Sequence, residues 1–143
     1  MQDLEIARKR LREKALTLSI VKKGKIVFET ASHGISGVLN AIGKFKYRLN
    51  GASVADKVVG NAIALLFVYA KVKSVYASTL SGGAKRVLEE NAVYVEWESL
   101  VANILSVNGK ETCPFEKLAA QFPDPNEAYA RLRALQTSFN KGR

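Results

Sequence analysis

At 143 residues the chain is sized for one domain, which would bury roughly two-thirds of the surface its unfolded form exposes. Its 48% hydrophobic and 24% charged residues, with a single cysteine, describe a globular protein without an internal disulfide, pointing to a reducing compartment. The net charge of +9 is concentrated in the first fifty residues, where eleven Lys/Arg stand against four Asp/Glu. Such a gradient can attract nucleic acid or phosphorylated molecules.

The first residues hold no apolar signal core, and Asp3, Glu5 and Glu13 among the basic ones argue against a transit peptide, so a cytoplasmic location is expected. Leu4, Ala7, Leu11 and Ala15 recur at three- and four-residue steps, which predicts an amphipathic first helix with a basic outer face. Leu16–Val21 and Lys25–Thr30 are β-rich runs joined by Lys22-Lys23-Gly24, a hairpin. A short helix is expected near Ile35–Phe45 and a loop over Tyr47–Gly51. Ser53 then opens what reads as the best helix of the chain, running to about Lys71. It is apolar nearly all round from Ala62 onward, which demands burial against a sheet and other helices. The longest apolar run, Ala62 to Ala70, is about half of a membrane span, so no membrane is expected.

Val72–Ser78 reads as the next strand, Ser81-Gly82-Gly83 as the start of a helix reaching Asn91, and Val93–Trp97 as another strand. That strand–helix–strand unit crosses over right-handed into a parallel pair. A short helix follows Pro114. A last one near Asn126–Ser138 places Ala128, Tyr129, Leu132 and Leu135 on one face. The order predicts an α/β three-layer α-β-α sandwich, with a mainly parallel sheet and an antiparallel edge hairpin. Residues 1–122 make the α/β domain, and 123–143 a C-terminal amphipathic helix and tail of the same unit.

Three places carry candidate chemistry. Thr112-Cys113-Pro114-Phe115-Glu116 sets the only cysteine at a helix start, where open backbone N–H groups and the helix dipole favour thiolate. The same pattern also begins an ordinary helix, with Pro114 at the first position and Glu116 in the first turn. Ser53 and Asp56 fit a capping-box spacing, so Asp56 reads equally as a cap or as a functional carboxylate. Lys57 beside it would oppose the dipole of that helix, which suits an anion or carboxylate binder. The Ser78-Thr79-Leu80-Ser81-Gly82-Gly83 stretch reads as a turn with open backbone N–H groups for a phosphate or carboxylate. His33, the only histidine, stands before Gly34 as a turn residue with no evident route to Cys113.

The hairpin, the segment Ser53-Val54-Ala55-Asp56-Lys57-Val58-Val59-Gly60, the strand ending Tyr76-Ala77-Ser78 and the late Cys113-Pro114-Phe115-Glu116 together resemble a known family. It is a small bacterial and archaeal domain family of unknown function in the cytidine deaminase-like superfamily, and the likeness spans roughly residues 2–120. The resemblance implies a fold and no activity. True deaminases hold zinc with His-x-Glu on the buried helix and Pro-Cys-x-x-Cys at the next strand–helix junction. One histidine and one cysteine cannot supply those ligands, and Ser78, Thr79 and Ser81 are poor substitutes.

Two readings follow. In one, the chain is a metal-free, cofactor-free enzyme or binder of an anionic small molecule. Its site would join Asp56, Lys57 and Cys113 as chemical groups to Ser78, Thr79, Ser81, Gly82, Gly83 and Glu116 as ligand contacts. In the other, it is a non-catalytic module whose basic N-terminal half binds nucleic acid or an acidic protein partner. The scattered basic residues, with only Phe45 and Tyr47 interleaved, give nucleic acid the weaker claim. A homo-oligomer is compatible with both.

Overall fold

A computed structural model describes residues 2–32, 34–104 and 113–141. The first helix, α1, covers Asp3–Glu13; Asp3 and Glu5 in its first turn and Arg10 and Arg12 in its last complement the helix dipole. Leu4, Ala7 and Leu11 are buried as their spacing predicts, whereas Ala15 lies beyond the helix with φ of 53°. Strands β1 (Leu18–Lys22) and β2 (Lys25–Thr30) form the expected hairpin. Its loop, Lys23-Gly24, has φ of 52° and 77°, the left-handed pair that matches strand twist. Both loop amides donate to the Asp3 carboxylate, at 2.9 and 2.8 Å, tying the turn to the start of α1. Arg10 adds a two-pronged bond to Glu29 at 2.7 Å, and Ser19 donates to the same carboxylate.

Then follow α2 (Ser36–Phe45), a 3-10 turn (Lys46–Leu49), β3 (Ser53–Val59), α3 (Asn61–Tyr69), β4 (Ser74–Ser81) and α4 (Gly82–Glu90). The chain continues as β5 (Tyr94–Val101), α5 (Pro114–Gln121) and α6 (Pro125–Lys141). The sheet order is β2-β1-β3-β4-β5; β1 is antiparallel to β2 and β3, while β3, β4 and β5 run parallel. On one face α1 packs on Val21, Ala55 and Tyr76. On the other, α2 to α6 share one core with Ile20, Val54 and Val75, which includes Leu66, Phe67, Leu88, Ala119 and Leu132. The result is the three-layer α/β arrangement, with α6 laid on α3 through stacked Tyr69 and Tyr129 rings at 4.3 Å. Among the described residues no helix is long and apolar enough to cross a membrane.

Two expectations are corrected. The single helix over 53–71 is a strand and a helix, β3 and α3, parted at Gly60. β-Branched Val54, Val58 and Val59 suit a central strand that both neighbours can hydrogen-bond. Ser53 is therefore no cap: its hydroxyl accepts from Ser74 at 2.7 Å, inside the β3–β4 pair. Likewise the 78–83 turn does not exist. β4 runs through Ser81 straight into α4, whose start Ser81 caps by accepting from the Ala84 amide at 3.1 Å.

Candidate functional site

At the carboxyl end of β3, where the strand hands over to α3, lies a cavity of about 260 Å³. Ligands in open α/β sheets gather at such strand ends. Its walls are mostly apolar, with Ile35, Val58, Ile63, Ile104 and Phe115, and its polar groups are few: Thr17, Asp56, Cys113 and Glu116, with Lys57 at the margin.

Asp56 is buried on β3, at 6% exposure. Burial pushes its carboxyl from an ordinary 3.8 up to about 8, against the pull of hydrogen bonds from the Val58 and Lys57 amides. The Val58 amide donates to Asp56 Oδ1 at 3.3 Å. At neutral pH Asp56 is thus a carboxylic acid, with both a donor and an acceptor on one small group.

Glu116 reaches back from the first turn of α5 to the start of α3. Its carboxylate accepts from the Asn61 and Ala62 amides at 2.8 and 3.0 Å, capping a helix more than fifty residues earlier in the chain. Burial raises its pKa and those two amides hold it down. Gly60 makes the contact sterically feasible, because a Cβ there would fall on the Glu116 carboxylate and on Ile104. The anion site expected at a helix start is therefore filled by the chain itself.

Cys113 caps α5 with Pro114 at the first position, as its sequence suggests, and its half-buried thiol lines the cavity beside Phe115 and Glu116. Lys57 departs from expectation. As strand neighbours, Asp56 and Lys57 face opposite sides of the sheet: Asp56 lies with Val54 on the α3 side and Lys57 with Ala55 on the α1 side. There Lys57 borders a second cavity, also of about 260 Å³, together with Arg8, Arg12, Tyr76, Ser78 and Glu98.

The structure thus gathers Asp56, Cys113 and Glu116, keeps Lys57 at the margin and leaves out the other candidates. Ser78 faces α1; Thr79 is half-buried on β4 opposite Val58; Ser81 and Gly83 border a wide groove beside α4; Gly82 opens that helix. Sequence reasoning missed Thr17, Ile35, Gly60 and Ile104. Gly60 had a signal, a glycine between a β-branched run and a helical one. His33 lies outside the described residues.

The zinc signature of the deaminases is His-x-Glu followed by Pro-Cys-x-x-Cys, and neither occurs in this sequence: its one histidine is followed by Gly34-Ile35 and its one cysteine by Pro114-Phe115-Glu116. Among the described residues no three His, Cys, Asp or Glu side chains converge to hold a metal.

Comparison with known proteins gives the same fold. A protein described as a DUF1893 family member (TM1506) from Thermotoga maritima is 28% identical, with a TM-score of 0.82 over 95% of this chain and 89% of that one. RibD of Acinetobacter baumannii matches at 16% identity and a TM-score of 0.52, over 67% of this chain and 35% of its own. A Thermotoga maritima diaminohydroxyphosphoribosylaminopyrimidine deaminase/5-amino-6-(5-phosphoribosylamino)uracil reductase matches at 18% identity and 0.51, over 82% and 41%. These last two likenesses are of fold alone. No curated protein matches the chain. The match of residues 6–135 to the family model runs well into α6, past the 2–120 suggested by the motifs, and the chain belongs to the TM1506 family, a domain of unknown function (DUF1893).

Proposed function

We propose that this chain is a small-ligand protein, a binder or a metal-free enzyme, whose site is the cavity at the start of α3. The observation that carries the reading is Asp56, a buried carboxyl raised to about 8 that lines a concave and largely apolar space. Perturbed titrating groups in such pockets are the usual mark of a working site. The sequence reading asked for an anion there, but Glu116 and Ser81 already satisfy the starts of α3 and α4. The cavity instead suits an uncharged ligand with an amide-like edge, whose N–H and C=O pair with the acceptor and donor of a neutral carboxylic acid. Asp56 can also give or take a proton close to neutral pH, which is what general acid–base work requires.

The single cysteine makes a clean reporter. A panel of small amides and lactams is screened for protection of Cys113 against iodoacetamide. Compounds that protect should keep protecting Asp56→Asn, which preserves a donor and an acceptor, and should fail with Asp56→Ala. Protection indifferent to Asp56→Ala, or none from any compound, would remove the reading.

A further inference from the structure

We infer that the cavity between α1 and the sheet is an anion site for the phosphate group of a small molecule, distinct from the cavity at the start of α3, with Lys57 bordering both. The β3–β4–β5 register sets Lys57, Ser78 and Glu98 side by side across the sheet, on the face that α1 covers and at the carboxyl end of the parallel strands. From α1, Arg8 and Arg12, one helical turn apart, close over that row. Arg8 lies across the Tyr76 ring at 5.3 Å, and Arg12 pairs with Glu98 at 3.2 Å. The cavity gathers three cations and one carboxylate.

Two of these cations, Lys57 and Arg8, answer to no helix dipole and, among the described residues, to no ion pair. Lys46 and Lys71 line a groove too, but they follow the last residues of α2 and α3, where a cation complements the helix dipole. Lys57 is on a strand and Arg8 is mid-helix. Among the described residues neither has a carboxylate within salt-bridge reach. Arg8 and Arg12 repel each other at this spacing, a cost that a bound anion removes. Arginine forks and a lysine point charge, with the Ser78 hydroxyl, are the donor set that phosphate oxygens accept from. About 260 Å³ holds a phosphate and a few attached atoms, not a polymer.

The test is calorimetric titration of the full chain at low ionic strength with inorganic phosphate and, separately, glycerol 3-phosphate. One site is expected. Arg8→Ala and Lys57→Ala should each weaken it by about tenfold. Glu98→Gln, which frees Arg12, should tighten it severalfold, and Lys25→Ala on the hairpin should leave it unchanged. Thermal melting of each variant verifies that it is folded. Phosphate bound as well as glycerol 3-phosphate identifies the free ion as the ligand source; tighter binding of the ester identifies a phosphorylated metabolite. The inference is overturned if neither compound binds, if Arg8→Ala behaves like Lys25→Ala, or if Glu98→Gln weakens binding. It is also overturned if only a short DNA duplex binds, since the face would then be a nucleic-acid surface.

Discussion

Asp56 stands in the sequence as one acid among Val54, Ala55, Val58 and Val59, and that setting fixes its chemistry. Folded, it keeps a proton that the unfolded chain releases near 3.8. Its contribution to stability is therefore complete below the unfolded value and lost as pH climbs toward about 8. The loss runs at about 1.4 kcal/mol per pH unit across that window. Glu116, also raised, acts in the same direction. Denaturant unfolding at about pH 5 and about pH 8 should show the wild type losing stability relative to Asp56→Asn, which has nothing to ionise. Equal slopes for the two proteins would mean that Asp56 is solvated and ionised in the fold. The residue was visible from sequence and its place on a strand was not. Lys57 seemed to share its site only because a helix start puts neighbours near one another, whereas a strand sends them to opposite faces.

Among elements, the join between α3 and α5 decides the site. Glu116 could be read as an acid in its own helix's first turn, but nothing local says that it caps another helix. That contact depends on the fold bringing α5 across α3. Glu116→Ala should cost about 1–2 kcal/mol, the range of a lost helix cap. Gly60→Ala should cost a similar amount, because its methyl displaces the same carboxylate. Chemical denaturation of the pair gives the coupling: Gly60→Ala should cost clearly less in the Glu116→Ala background, as residues that share one contact are not additive. Strict additivity would separate the glycine from the cap. The boundary at Gly60 was hidden for a related reason. A run of buried residues has no period that distinguishes strand from helix, and Ala62–Phe67 dominated the reading of the residues before it.

For the whole molecule, the three-layer class and a mixed sheet were legible without the central strand β3, because α1, the hairpin, α2, α4 and α6 each carry local signals of period, turn or cap. What those signals could not reach was which ends meet. The parallel strands bring the start of α2, the end of β3 and the start of α5 to one place, and that convergence makes the cavity. The same sheet has a basic cavity on its other face, where α1 covers Lys57 and Ser78. The central claim is that the cavity at the start of α3 receives a ligand through Asp56. Crystals of the full chain soaked with small uncharged amides and lactams test it most directly. The account predicts fragments lodged among Ile35, Ile63 and Phe115, with a polar atom in hydrogen-bond contact with the Asp56 carboxyl. An empty cavity in crystals whose fragments settle only elsewhere would contradict it.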